Sequence, residues 1–104
     1  MAVQHLTTSE FDGAIASGLC LVDFWATWCG PCRMLAPVIE NLAASYDGSV
    51  KVCKVDIDQE MDLASRFGVM SIPTVILFKD GVKVAQSVGV QPEDAFVRMI
   101  EAAK

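Results

Sequence analysis

The stretch that decides the fold runs Leu19-Cys20-Leu21-Val22-Asp23-Phe24-Trp25-Ala26 and passes at once into Thr27-Trp28-Cys29-Gly30-Pro31-Cys32-Arg33. Its first part is apolar except for one acid, Asp23. The length of that run and the signals that bound it, Gly18 before and the Gly-Pro pair after, suit a buried strand. Pro31 suits the first turn of a helix, where a missing N–H removes no hydrogen bond. Leu35, Val38, Ile39, Leu42 and Tyr46 then recur at helical spacing. A buried strand therefore runs directly into an amphipathic helix, and two cysteines sit at the junction. Pro37 falls inside that helix and predicts a kink. Asp47-Gly48 ends it.

Upstream, Val3 to Leu6 reads as a short first strand. Thr7, with Glu10 three residues on, reads as a capping box. It opens a helix over about residues 8–17, buried through Phe11 and Ile15 and stopped by Gly18. Downstream, Val50 to Ile57 is the next strand, and a short helix near residues 60–67 is closed by Gly68. Pro73 opens a strongly apolar strand, Thr74 to Lys79, and proline is acceptable at a strand's first residue. Asp80-Gly81 is a hairpin turn leading into Val82 to Val88. Pro92 starts a last helix with Phe96, Met99 and Ile100 facing inward. The order is βαβαβ, then ββα. The class is α/β: a central mixed sheet, parallel at first, with helices on both faces and an antiparallel edge added by the hairpin.

A chain of 104 residues is expected to form one domain, residues 1–104, with one ordinary core. Eight Lys and Arg against 13 Asp and Glu give a net charge of −5 without a basic cluster, which argues against nucleic acid and against anionic membrane surfaces. The longest uncharged run, Phe67 to Phe78, is 12 residues with a proline inside, too short to span a bilayer. The first Lys or Arg is Arg33, so no positive region precedes an apolar stretch, and Glu10 and Asp12 disfavour a transit peptide. The expected compartment is the cytoplasm. Thiols stay reduced there, so the four cysteines do not read as a structural disulfide framework.

Cys29 and Cys32 carry the chemistry. Three-residue spacing on a helical turn puts both side chains on one face, within disulfide reach. Such a pair closes and opens with little backbone movement. The helix N-terminus supplies a positive partial charge and free N–H groups, and both favour the reactive thiolate. Cys29 precedes the first turn and is expected to be the more exposed sulfur, with Cys32 tucked beneath it. The alternative is a metal site, but a lone CxxC supplies two zinc ligands only. Cys20 and Cys53 fall in separate predicted strands outside any second CxxC, and His5 is the one histidine. A Cys–His hydrolase has less support still. His5 lies in the N-terminal strand and reads as an ordinary half-exposed histidine. Cys20 and Cys53 read as core packing.

Asp23 is the second signal. Burying an isolated carboxylate is costly, and the group usually responds with a raised pKa. Just upstream of a dithiol, such an acid could accept the proton of Cys32 and later return it. It could equally be a structural acid paired with Lys54 in the neighbouring strand. The two readings are compatible, since Lys54 would then tune Asp23.

The stretch Val22-Asp23-Phe24-Trp25-Ala26-Thr27-Trp28-Cys29-Gly30-Pro31-Cys32 closely resembles the active-site segment of the thioredoxin family. So do Lys54 with Asp56 to Asp58, Ile72-Pro73-Thr74, Phe78-Lys79-Asp80-Gly81 and Gly89. The resemblance covers essentially the whole chain and implies the thioredoxin fold. It implies that Cys29 is the attacking nucleophile and Cys32 the resolving cysteine, joined in a reversible redox-active disulfide. Asp23 would be the buried proton acceptor with Lys54 beside it. Pro73 would be a cis-proline packed against the dithiol, and Ile72 would offer backbone hydrogen bonds to a substrate strand. Trp28, Gly30, Pro31, Gly89 and Val90 would complete a flat, uncharged docking rim.

The implied activity is reduction of protein disulfides through a mixed disulfide, with no bound cofactor and no metal. The implied partners are disulfide-containing target proteins and a separate flavoprotein, thioredoxin reductase, which passes on electrons from NADPH. A monomer is expected. Gly-Pro between the cysteines is similar to the reducing members, whereas relatives with a histidine there tend to be oxidants or isomerases. A binding module with an idle dithiol is the rival from another class, and no added helix or tail supports it. Thr27, Arg33 and Met70 depart from common choices. Relatives often carry a basic or polar residue where this chain has Met70, which bears on partner preference.

Overall fold

The computed structural model describes residues 3–104. In chain order the elements are β1 (Gln4–His5), α1 (Thr8–Ile15), β2 (Leu19–Trp25), α2 (Gly30–Ser45), β3 (Val50–Asp56), α3 (Met61–Arg66), β4 (Thr74–Lys79), β5 (Val82–Val88) and α4 (Glu93–Ala103). The capping box forms, with the Thr7 N–H donating to Glu10 Oε1 at 3.0 Å. β1 is shorter than the expected Val3 to Leu6 and pairs only with Cys53 and Lys54 of β3. Leu6 nevertheless donates its N–H to the Lys54 carbonyl at 2.9 Å. α1 stops at Ile15, short of the expected end, and Gly18 takes a left-handed φ of 71° that leads the chain into β2. β2 ends one residue early because the Ala26 carbonyl turns to accept the Cys29 N–H at 3.2 Å.

The five strands lie in the order β1-β3-β2-β4-β5. β1 and β2 flank β3 in parallel, β4 is antiparallel to β2, and β5 is antiparallel to β4. The hairpin therefore places β4 inside the sheet and leaves β5 at the edge. Asp80 and Gly81 have φ of 51° and 85°, the two left-handed residues that a tight hairpin needs to match strand twist. Asp80 Oδ1 accepts the Gly18 N–H at 2.7 Å, which fastens the hairpin to the start of β2.

Alternation along the strands divides the core into two layers. On one face Leu21, Val52, Val75 and Leu77 pack against α2 and against Phe96 and Ile100 of α4, with Met99 partly buried beside them. On the other face Cys20, Val22, Phe24, Cys53, Ile76 and Phe78 pack against Phe11 and Ile15 of α1 and Leu63 of α3. α2 runs unbroken through Pro37. The ring removes one backbone donor, but Leu35 before it and Ile39 and Leu42 after it hold the helix to the sheet. Among the described residues no helix is long and apolar enough to cross a membrane.

Candidate active site

The turn after β2 brings Cys29 to the N-cap of α2, with extended φ and ψ of −88° and 111°. Pro31 falls in the first helical turn, as its fixed φ favours. Cys29 and Cys32 are joined as a disulfide with Cα atoms 5.2 Å apart. The Cys32 N–H donates to Cys29 Sγ at 3.1 Å, so the first sulfur already faces a backbone donor at the positive end of a helix. Cys29 and Cys32 are 4% and 2% exposed, which corrects the expectation of an exposed Cys29, since both residues are recessed. The cause is a small apolar cluster in which Ala26 and the two cysteines are covered by Trp25, Ile57 and Ile72.

What stands out around this recess is the rim. Trp28 is exposed, Pro31 is exposed and Gly30 is half-buried. The Trp28 indole N–H donates to Asp58 Oδ2 at 2.8 Å. Asp58 is held in turn by its own N–H donating to Asp56 Oδ1 at 2.9 Å. Across the recess the Ile72–Pro73 bond is cis, and the Ile72 carbonyl oxygen lies 3.9 Å from Cys29 Sγ. Gly89, with φ 90°, donates its N–H to the Pro73 carbonyl at 2.8 Å and so moors that loop to the end of β5, with Val90 exposed beside it. Trp28, Gly30, Pro31, Ile72, Pro73 and Gly89 are thus brought together about the disulfide, and Val90 joins them through Gly89.

The positioning role of Asp58 was missed in the sequence. The signal was the short acid-rich turn after β3, where one carboxylate caps the backbone and leaves the next free to hold the indole. Arg33 is a second such residue: its Nη1 donates to the Thr27 carbonyl at 2.9 Å and spans the turn that carries Cys29.

Asp23 and Lys54 are register partners across β2 and β3, buried at 1% and 8% exposure. They do not form a direct ion pair. The ion pairs among the described residues are Arg66–Asp12, Arg98–Asp94 and Lys104–Glu101. Among the described residues no protein group hydrogen-bonds either Asp23 carboxylate oxygen or the buried Trp25 Nε1. Burial pushes the Asp23 carboxyl up to about 7, against the pull of the Lys54 charge. The Lys54 ammonium lies 5.0 Å over the Trp25 ring. Lys54 and Trp25 border a cavity of about 390 Å³ that is also lined by His5, Thr27 and Gln59. His5 is exposed and meets Trp25 edge-on at 6.2 Å between ring centroids.

Cys20 and Cys53 are fully buried in the other core layer, with sulfurs 3.7 Å apart. Contact with the Cys53 thiol, and then burial, push the Cys20 thiol far up, so it stays protonated. Cys20 stands opposite Lys51 and Cys53 opposite Val22, so the two are diagonal neighbours on the sheet.

A thioredoxin family model matches residues 2–102. Among curated proteins, a thioredoxin of Staphylococcus saprophyticus is 54% identical over 101 residues, 97% of each chain. A thioredoxin of Staphylococcus haemolyticus is 52% identical and one of Staphylococcus epidermidis 50% identical, each over 97% of both chains. With a mixed α/β sheet and a disulfide-forming Cys-Gly-Pro-Cys turn at a helix N-terminus, this chain belongs to the thioredoxin family and is a thiol–disulfide oxidoreductase.

Proposed function

We propose that this chain reduces disulfides in other proteins, with Cys29 as nucleophile and Cys32 as resolving cysteine. The observation that supports this best is the disulfide held at the N-terminus of α2, with the Cys32 N–H on Cys29 Sγ. Once the pair is reduced, that donor and the helix charge favour a thiolate on Cys29. The thiolate attacks one sulfur of the target disulfide, a new Cys29–target bond forms, and the other target sulfur leaves as a thiolate. Cys32 then loses its proton and attacks Cys29 Sγ. The target leaves with both sulfurs reduced, and Cys29 and Cys32 are left oxidised.

Asp23 is the proton acceptor for the second step. Its oxygens are free of other partners and its carboxyl is poised at about 7, where it can both take and return a proton near neutral pH. Lys54 tunes it. An extended segment of the target lies over Trp28, Gly30, Pro31, Gly89 and Val90 and pairs its backbone with Ile72, while Pro73 keeps the loop against the sulfurs. The spent disulfide is recharged by thioredoxin reductase, a flavoprotein, with electrons from NADPH. We read residues 1–104 as one domain, working as a monomer in the cytoplasm on disulfide-bearing proteins. The test is insulin disulfide reduction, first with a chemical reductant and then with thioredoxin reductase and NADPH. Turnover in both is expected. Failure with the chemical reductant would refute the activity, and failure with the reductase alone would refute the electron source.

A further inference from the structure

Met70 is the most exposed of the large apolar side chains among the described residues, at 96%. Packing gives no reason for it. It lies in the loop between α3 and β4, in the run Phe67 to Phe78 that carries no charged side chain. The loop has a second peculiarity. After the Val69 N–H, which donates to Ala64 at 2.9 Å, no backbone N–H donates again within the protein until β4 among the described residues. The N–H groups of Met70, Ser71 and Ile72 are therefore unpaired within the described protein, while the Ser71 carbonyl accepts the Thr74 hydroxyl. One end of this segment is fixed, because the Ile72 carbonyl oxygen lies 3.9 Å from Cys29 Sγ.

A peptide delivered to Cys29 has to pass this segment, because Ile72 stands beside the sulfur. Side chains on one face of an extended chain repeat every second residue, at about 6.5–7 Å. Met70 and Ile72 are themselves two residues apart, so their Cα atoms are at most about 7 Å from each other. A target side chain two positions from a residue at Ile72 is therefore within reach of the long Met70 side chain, which stands clear of the bend at Ser71-Ile72-Pro73. The thioether side chain is flexible and polarisable and adapts to varied apolar shapes. A charged side chain placed there would lose water against an apolar surface with no partner.

We propose that Met70 is a specificity-determining residue. It selects protein disulfides in which an aliphatic or aromatic side chain lies in an extended segment, two residues from the attacked cysteine. This rests on the disulfide-reductase reading of the site.

The test uses synthetic peptides whose single cysteine is joined to thionitrobenzoate. Either leucine or aspartate stands two residues before or two residues after the cysteine. Reduced wild type, Met70→Ala and Met70→Lys are compared by kcat/KM. The leucine-to-aspartate ratio is taken within each protein, so differences in folded fraction cancel. We expect wild type to prefer leucine by about fivefold to tenfold at one of the two positions, as partial burial of one such side chain allows. Met70→Ala should bring the ratio below about twofold, and Met70→Lys should reverse it. A ratio near one in wild type, or the same ratio in all three proteins, overturns the assignment. Dithiobis(nitrobenzoate), which has no flanking residues, separates the two levels. If wild type reduces it and the peptide ratio is flat, only the role of Met70 fails. If wild type reduces neither it nor the peptides, the reductase reading fails and takes this one with it.

Discussion

Replacing Asp23 by Asn should make the protein more stable at neutral pH and slower at its work. The carboxyl is 1% exposed and both its oxygens lack partners. Its ordinary value of 3.8 rises to about 7 in the folded chain. Between these values the unfolded chain has released the proton and the folded chain still holds it. The unfolded state binds fewer protons there, so stability falls as pH rises through the window, by about 1.4 kcal/mol per pH unit. Summed from pH 3.8 to 7, the loss is about 4 kcal/mol, an order-of-magnitude figure, and it persists above the window. Below pH 3.8 both states hold the proton and the penalty is absent. Asparagine matches the protonated acid in shape and never ionises. Asp23→Asn should therefore equal wild type at about pH 3 and exceed it by up to about 4 kcal/mol at pH 8.

Denaturant melts of the oxidised proteins across this range give the difference directly, with the titrations shared by both proteins cancelling. Single-turnover reduction gives the other half: release of target from the mixed disulfide should slow, because Cys32 loses its proton acceptor. A stability difference that stays flat with pH would refute the buried, hard-to-ionise acid. A variant that is less stable and equally fast would instead make Asp23 a structural partner of Lys54.

Lys54→Met removes the charge that draws the Asp23 carboxyl downward, so the pH window of falling stability should extend above pH 7; melts showing the window moved to lower pH would refute the coupling. In the reduced protein Cys29 should be the first thiol alkylated by iodoacetamide near neutral pH, while Cys20 and Cys53 stay unlabelled until unfolding; mass spectrometry showing Cys32, Cys20 or Cys53 labelled first would sink the assignment. Cys32→Ser should still attack targets but hold them as mixed disulfides visible on non-reducing gels, and wild-type turnover of insulin by this variant would rule out the two-cysteine mechanism.

Elements bounded by strong local chemistry are where sequence and structure agree residue for residue. Pro73 and the Asp80-Gly81 turn delimit β4 and β5 at the expected Thr74 to Lys79 and Val82 to Val88. Both signals act through the φ of one or two residues and need no partner. β1 has no such punctuation, and it pairs with only Cys53 and Lys54 of β3. Strand order is also a long-range property. Alternating strands and helices imply a parallel start, but they do not say that β3 lies between β1 and β2 or that β4 takes the place beside β2. A similar limit applies to the bulge in β5, where the pairing of Leu77 with Ala85 and of Phe78 with Lys83 leaves Val84 unpaired.

In the site, the residues legible in sequence were those that break a local rule. Asp23 is a carboxylate in an apolar strand, and Cys29 and Cys32 are two thiols at a helix start. The features that were not legible depend on chain that arrives from elsewhere. Cys29 is recessed because Ile57 and Ile72 close over it, and Trp28 stands on the rim because Asp58 holds its indole. These two classes meet in one physical compromise. A fold selected for stability alone would pair the Asp23 oxygens and the Trp25 N–H or replace them with apolar groups, since an unmade buried hydrogen bond costs about 1–3 kcal/mol. Here the acid has no protein partner among the described residues and lies on the strand that feeds a recessed disulfide, next to a lysine that draws it back toward ionisation without closing on it. A carboxylate locked in an ion pair with Lys54 would stay charged through neutral pH and could not return a proton. One left wholly to burial would stay protonated and could not accept one. Without a direct ion pair to Lys54, and with its carboxyl at about 7, Asp23 lies between those limits, as the proton acceptor we propose requires.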